Sequence, residues 1–307
     1  MINRVKKIVY MGTPNYAEMI LQKLIDSDDI DVSLVLTQPD RAVGRKKILT
    51  PPSVKVLALE NNIKVLQPEK LKDDGIYESI LNEKPDFIIV AAFGQILPQS
   101  ILDIAPCINL HASILPKYRG ASPVQQSLLN GDKYSGVTAM LMELGLDSGD
   151  ILGYKYFEIP KDMKVQGLMH QLSLDACDLT IDVIRNFDNI EPIPQIKAIS
   201  THCKKITKSD GEILFDDAYI LYNKYRAFEG WPTIYTSNGL KIIDMNLLDK
   251  NGEYKNGEIL EIDKKTIVIG CEKGKVEIRT LQPKSKKPMD AKAYLLGKEL
   301  KVGDLLV

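Results

Sequence analysis

The chain has 307 residues, 44% of them hydrophobic and 26% charged, with a formal net charge of −1. This is the composition of an ordinary globular protein long enough for two domains. No apolar run approaches the length of a membrane span, and the N-terminus runs straight into a strand pattern without the apolar core and cleavage site of a leader peptide. Nothing global demands a nucleic-acid partner, although residues 197–307 carry 20 Lys and Arg against 16 Asp and Glu while the remainder carry 20 against 25, a mild basic bias at the C-terminal end.

In chain order, residues 7–11 form a short apolar strand ending at Gly12. The turn that follows, Gly12-Thr-Pro-Asn-Tyr, lacks the glycine spacing of a dinucleotide fingerprint, which argues against a nicotinamide or flavin enzyme. Residues 15–25 place Ala17, Ile20, Leu21 and Leu24 at helical spacing. Residues 32–36 are a second strand, residues 53–61 a helix entered through Pro51 and Pro52, residues 64–66 a strand and residues 76–83 a helix. Residues 86–92 and 108–111 are apolar strands of the kind covered on both faces. This rhythm predicts a doubly wound, Rossmann-like α/β domain with a parallel sheet, in which ligands bind beyond the C-terminal strand ends. A further strand over 151–159 and a helix over 165–187, with Leu168, Leu172, Cys177 and Ile181 in its stripe, close this part. The proline-rich run from Asn189 to Gln195 marks a boundary. Beyond residue 208, a helix over 218–228 leads into short strands punctuated by Asn238-Gly239, Asn251-Gly252, Asn256-Gly257 and Lys273-Gly274, the pattern of a small β-barrel. The expected division is a catalytic domain over 1–188, a linker over 189–207 and an OB-like C-terminal barrel over 208–307.

The four cysteines, Cys107, Cys177, Cys203 and Cys271, have neither zinc-ribbon nor CxxC spacing and read as the reduced thiols of a cytoplasm. His202 beside Cys203 lacks a second pair and reads as a chance neighbour, so no metal is expected.

The most informative stretch is residues 107–123. Asn109 and His111 stand two apart on a strand end and so share one face. Asp147 lies in the glycine-flanked loop Gly145-Leu-Asp-Ser-Gly149. Taken singly, these are a strand-end amide, a half-buried imidazole and a solvated loop carboxylate. Taken together at the mouth of a doubly wound sheet, they supply an oxyanion donor, a base and an orienting carboxylate. Formyl transfer needs these types: an amine attacks a formamide carbon, Asn109 donates to the developing oxyanion, His111 either stabilises the same oxygen or takes part in proton transfer, and Asp147 either orients the imidazole or accepts the amine's proton, directly or through water. No nucleophile elbow or Cys–His signature competes.

Asn109-Leu-His111-Ala-Ser-Ile-Leu-Pro-Lys-Tyr-Arg-Gly-Ala-Ser-Pro, with Gly136-Val-Thr and Gly145-Leu-Asp147-Ser-Gly-Asp150, resembles the signature of the folate-dependent formyltransferases. The resemblance implies Asn109, His111 and Asp147 as the catalytic trio and 10-formyltetrahydrofolate as donor. It implies Ser113, Ile114, Leu115 and Pro116 as the folate wall, and Ala91, Ala92, Phe93 and Gly94 as the strand-end edge near the pterin. The long basic stretch over 37–55, with Arg41, Arg45, Lys46 and Lys47, reads on its own as a solvated charge cluster or a functional loop. It is similar to the acceptor-arm loop of the methionyl-tRNA formyltransferase family, in which the arginine matching Arg45 engages the end of the acceptor stem. Arg226-Ala-Phe-Glu-Gly-Trp-Pro232 and Leu281-Gln-Pro-Lys-Ser-Lys-Lys-Pro-Met289 resemble that family's later motifs, with Glu229-Gly230 standing where Asn-Pro is usual. Lys284, Lys286 and Lys287 are the phosphate candidates there, and Trp231 is expected to be buried between helix and barrel. The resemblance thus implies a cytoplasmic monomer that formylates charged initiator tRNA for translation initiation, with no membrane partner. Two other readings remain: a formyltransferase for an amino sugar or purine precursor, which would leave the basic stretch without a role, and a non-catalytic RNA-binding protein, against which the intact trio argues.

Overall fold

The computed structural model describes residues 4–44 and 46–307. They form two compact units: one built from residues up to Pro123 with Tyr134–Glu158 and Leu168–Cys203, the other from Val124–Lys133, Ile159–Gly167 and Lys204–Val307.

The chain of the first unit runs β1 (Lys6–Gly12), α1 (Asn15–Ile25), β2 (Ile30–Leu36), β3 (Arg41–Val43), β4 (Ile48–Thr50), α2 (Ser53–Glu60), β5 (Lys64–Leu66), α3 (Ile76–Glu83), β6 (Phe87–Ala91), α4 (Gln99–Leu102), β7 (Cys107–His111) and β8 (Arg119–Gly120). The chain then enters the second unit for most of α5 (Pro123–Leu129), returns to the first for β9 (Tyr134–Leu141) and β10 (Ile151–Glu158), and after the start of α6 (Val165–Asn186) stays in the first unit to β11 (His202–Cys203). Seven strands form the main sheet in the order β10-β9-β7-β6-β1-β2-β5. The five from β5 to β7 are parallel, while β9 and β10 are antiparallel to their neighbours. The chain winds outward from β1 in one direction and, after β6, in the other, so the switch point lies between β1 and β6.

Both faces of the parallel part are covered, which is why β6 and β7 are buried at every position instead of alternating. One face carries a core of Val9, Met11, Leu34, Leu36, Ile88, Val90 and Cys107 under Phe93, Leu97 and Ile101. On the other face α1 is tied down by two buried tyrosines: Tyr10 Oη donates to the Ala17 carbonyl at 2.6 Å and Tyr16 Oη to the Leu110 carbonyl at 3.1 Å. Gly12 serves this packing, since a Cβ there would lie 2.6 Å from that of Ala17. The stretch expected as a basic loop is a two-stranded hairpin, β3 with β4, whose six strand residues are all exposed.

Residues 189–207, expected as a linker, are divided between the units. Up to Cys203 they are bonded into the first one: Ile193 exchanges two 2.9 Å backbone bonds with Ile151, and β11 pairs in parallel with β8. The second unit contains α7 (Ala218–Ala227), β12 (Ile234–Tyr235), β13 (Lys241–Asp249), β14 (Ile259–Ile262), β15 (Ile267–Gly270), β16 (Lys275–Gln282), β17 (Met289–Asp290) and α8 (Ala291–Leu296). Its six strands form one antiparallel sheet, β12-β13-β16-β15-β14 with β17 on β16, as the regularly spaced Asn-Gly turns predict. Trp231 is not the buried residue expected of it: it is 57% exposed. The buried positions of its motif go to Arg226 and Phe228 on the end of α7, and Gly230, at φ +79°, turns the chain away before the indole.

α7 begins at Asp217, whose Oδ1 accepts from the amides of Tyr219 at 2.8 Å and Ile220 at 3.1 Å, and whose Oδ2 is 3.1 Å from Lys273 Nζ. Burial pushes this carboxyl up, but the two amides and the ammonium together hold it below its ordinary value. A depressed folded-state value means that the stabilisation is present at neutral pH and fades as the pH falls through the carboxylate range. Asp217→Ala is expected to lower stability by about 1 kcal/mol at neutral pH, with the deficit shrinking in acid, as read by denaturant unfolding at several pH values.

Candidate active site

Strand β7 presents Asn109 and His111 on the face that carries Cys107, so both sit at the C-terminal margin of the apolar core beneath them. They are about 6–7 Å apart along the strand. Both are buried, at 9% and 7% exposure. After His111 the chain turns through Ser113–Lys117 and returns, so that the Tyr118 carbonyl lies 2.9 Å from His111 Nε2. A carbonyl only accepts, so Nε2 carries a proton and, in the neutral ring, Nδ1 is the bare nitrogen.

Asp147 faces that bare nitrogen, with Oδ2 3.7 Å from Nδ1. Its route there was not visible in the sequence. β9 is antiparallel to β7 with Leu141 opposite Ile108, so the loop over 142–150 starts beside the beginning of β7. It must cross about 10 Å of strand to reach His111. Asp147 ends the crossing at φ +49°, a left-handed conformation that Asp tolerates, and its Oδ2 also accepts from the Gly120 amide at 2.7 Å. Gly120 is required as glycine: at φ +115° a Cβ would lie 2.4 Å from the Cys203 carbonyl oxygen.

The Asn109 amide has no hydrogen-bond partner among the described residues, and is the group of the trio with its donors and acceptor uncommitted. The expected wall residues divide. Ser113 and Leu115 are buried, Ile114 and Pro116 partly exposed. Thr138, opposite His111 on β9, holds this turn: its Oγ1 donates to the Ser113 carbonyl at 2.6 Å and accepts from the Leu115 amide at 3.0 Å. At the end of β6, Ala91 and Phe93 are buried, while Ala92, at φ +45°, and Gly94 are exposed. The Phe93 carbonyl accepts from Thr13 Oγ1 and Gln38 Nε2.

Of the basic residues, Arg41, Lys46 and Lys47 are exposed on the β3–β4 hairpin, and Arg45 lies outside the described residues. Arg41 Nη2 donates to Gln38 Oε1 at 3.0 Å. The hairpin follows β2, which is parallel to β7 and three strand spacings away, about 14 Å. Lys284, Lys286 and Lys287 are exposed on the turn between β16 and β17 in the second unit. Lys284 and Lys286 border a cavity of about 390 Å³ with Asn238, Tyr294 and Lys298. Among the described residues no group of three or more His, Cys, Asp or Glu side chains is placed to hold a metal, and no helix is long and apolar enough to cross a membrane. All four cysteines are buried and free.

Four residues that matter to this geometry escaped the sequence reading: Tyr118, Gly120, Thr138 and Gln195. The first three lie within quoted motifs, where their fixed spacing from Asn109 or Asp147 was the available signal. Gln195, which donates to carbonyls of the Asp147 loop, was hidden in a run that reads as linker.

Residues 6–184 match the family described as formyl transferase, and residues 205–299 match the formyl transferase C-terminal domain. The chain is 61% identical to the methionyl-tRNA formyltransferase of Sulfurovum sp. (strain NBC37-1) over 298 residues, covering 97% of this chain and 98% of that one. It is 52% identical to the protein of the same name from Sulfurimonas denitrificans, covering 98% and 99%. Among solved structures it is similar in fold to a sugar 3N-formyltransferase, at TM-score 0.67 and 21% identity over 92% of this chain and all of that one. It is likewise similar to an N-formyltransferase from Helicobacter canadensis, at TM-score 0.66 and 21% identity over 89% and 98%.

Thr138 is fully buried, and valine has its shape without its hydroxyl. Thr138→Val leaves a buried carbonyl and a buried amide unpaired and is expected to lower unfolding free energy by about 2–4 kcal/mol; a loss below about 0.5 kcal/mol in denaturant unfolding would show that the turn does not depend on it.

Proposed function

The chain belongs to the formyl transferase family, and from that premise we infer how its site works. It transfers the formyl group of 10-formyltetrahydrofolate to the α-amine of methionine on initiator tRNA, the step that prepares that tRNA for translation initiation. The observation that carries this reading is the high identity over almost the full length of both chains, joined to a trio intact at Asn109, His111 and Asp147.

In the proposed mechanism the uncommitted Asn109 amide donates to the formyl oxygen as negative charge develops on it. A positioned donor of this kind contributes about 3 kcal/mol to a transition state. His111 and Asp147 act as a proton acceptor. With Nε2–H held by Tyr118, a bare Nδ1 and a carboxylate oxygen oppose each other at 3.7 Å, two acceptors with no proton between them. Uptake of the attacking amine's proton at Nδ1 turns that opposition into an ion pair, so the arrangement favours the proton leaving the amine. The burial of His111 and the fixed position of Asp147 keep the pair aligned without reorganisation.

The residues around the strand ends fit a folate. Ala92 and Gly94 leave an open edge beside the switch point, Ile114 and Pro116 offer half-exposed apolar surface, and the buried Ser113 and Leu115 hold the turn that carries them through their bonds to Thr138. For the tRNA, Arg41, Lys46 and Lys47 on the hairpin, with Arg45 of the same stretch of sequence, are proposed to hold the acceptor end, since the hairpin rises from the same sheet edge as the trio. Lys284, Lys286 and Lys287 are proposed to meet phosphates of the same tRNA. The first unit, through Cys203, is proposed as the catalytic domain and the rest as a tRNA-binding one. A monomer is proposed, and four free, buried thiols support the cytoplasm.

The direct test offers charged initiator tRNA and 3-amino or 4-amino sugar nucleotides in parallel with the folate donor. Formylation of the tRNA alone is expected; equal turnover of an amino sugar would overturn the acceptor assignment. Asn109→Ala and His111→Ala are each expected to lower kcat by about 10²–10³ with folding intact, and near-normal turnover would remove them from the trio. Arg45→Ala should raise KM for charged tRNA at least tenfold more than KM for the folate donor; equal effects would make the hairpin structural.

A further inference from the structure

Arg119 is a buried guanidinium, 6% exposed, with no carboxylate in ion-pair range among the described residues. Instead Nε and Nη2 both donate to one neutral oxygen, Gln195 Oε1, at 3.0 and 2.7 Å. The other end of the same amide, Gln195 Nε2, donates to the carbonyl of Asp147 at 3.0 Å and to that of Gly149 at 2.8 Å. Gln195 thus spends its whole capacity, two lone pairs and two protons, on one bridge. The bridge runs from β8 to the loop that carries Asp147. β8 is in turn held by the segment that supplies Gln195: the Arg119 amide donates to the Thr201 carbonyl at 2.9 Å, the Tyr118 amide to Thr201 Oγ1 at 2.9 Å, and the Ala121 amide to the Cys203 carbonyl at 3.1 Å.

From this network we propose that Gln195, clamped by Arg119, is a positioning residue that holds Asp147 in register with His111. The proposal rests on Asp147 belonging to the trio. The arriving loop has crossed much of β7, and its own closing bonds, from the Leu141 amide to the Asp150 carbonyl at 2.8 Å and from Ser148 Oγ to Glu143 Oε1 at 2.6 Å, do not touch Asp147 and so leave open where its carboxylate stops. Two contacts fix it: Gly120 from the side-chain side and Gln195 from the main-chain side. The residue types follow. Only an amide can accept two bonds from arginine and donate two to carbonyls. A glutamate would satisfy the Arg119 charge better but would set carboxylate oxygen against two carbonyl oxygens. Here the better ion pair is absent because the loop needs protons from position 195.

Gln195→Glu tests this, because it is nearly isosteric and strengthens the Arg119 pair while replacing the donors to the loop by a carboxylate oxygen that the Asp147 and Gly149 carbonyls repel. In the full-length protein it should lower kcat for formyl transfer roughly ten- to a hundredfold, as expected of a misplaced catalytic group, while KM for donor and for charged tRNA changes less than about threefold. In an Asp147→Asn background, measured by single turnover, the same substitution should cost almost nothing further, since its effect passes through the lost carboxylate. Losses that multiply in the double variant, or a Gln195→Glu enzyme within about twofold of the parent kcat, would overturn the proposal. Should Gln195→Glu fail to fold, as judged by circular dichroism, Arg119→Lys replaces it. That variant keeps the charge, loses the fork, and must show the same kcat loss and the same silence with Asp147→Asn. Asp147→Asn measured alone separates the two levels: full activity there would sink the trio itself, whereas a large loss with multiplying effects would sink only the role of Gln195.

Discussion

The chain doubles back between His111 and Tyr118, and the carbonyl it brings back is 2.9 Å from His111 Nε2. This one contact decides which imidazole nitrogen has a proton and therefore which one faces Asp147. Much of the local structure serves it. Thr138 pins the outward half of the turn, Thr201 satisfies the amide of Tyr118, and Gly120 allows the returning strand to pass against Cys203 without a side chain in the way. A histidine in this position without a fixed acceptor would distribute its proton between two nitrogens, and only one of those forms can take a proton from an amine in the direction of the carboxylate.

The sheet explains why three polar groups meet in an otherwise apolar unit. Parallel strands deliver their C-terminal ends to one edge, and the reversal of winding between β1 and β6 opens a crevice there. β7 lies next to β6 and supplies two of the three side chains from a single strand. The third comes from the antiparallel part of the sheet, whose connecting loop starts at the opposite edge. Such a loop needs external fixing. The segment ending at Cys203 supplies it, which gives a physical reason for the first unit to extend beyond α6 and its proline-rich exit.

What could be read from the sequence was local. The parity of Asn109 and His111 on β7, the helical stripe of α1 and the unbroken apolar run of β6 follow from periodicity alone, and the structure has them at the expected residues. Asp147 was recognisable as a companion by its motif, but its crossing over the face of β7 depends on the antiparallel direction of β9, and strand direction leaves no mark in a short apolar run. Gln195 was invisible for a related reason: Pro192 and Pro194 around it carry the composition of a linker, while the bonds that hold it come from residues about fifty to seventy-five positions away. Trp231 shows the converse error. A lone tryptophan is usually buried, but here the turn at Gly230 puts it outside and the arginine of the same motif inside.

With only three histidines in the chain, nitrogen-15 NMR of histidine-labelled protein addresses the central claim most directly. His111, assigned by its loss in a His111→Gln variant, is expected to show a protonated Nε2 at every pH at which the protein is folded, with any change in protonation confined to Nδ1. A neutral His111 with its proton on Nδ1 and a bare Nε2 would contradict the account, because a bare nitrogen would then oppose the Tyr118 carbonyl oxygen at 2.9 Å and the carboxylate of Asp147 would face an N–H that cannot accept a proton.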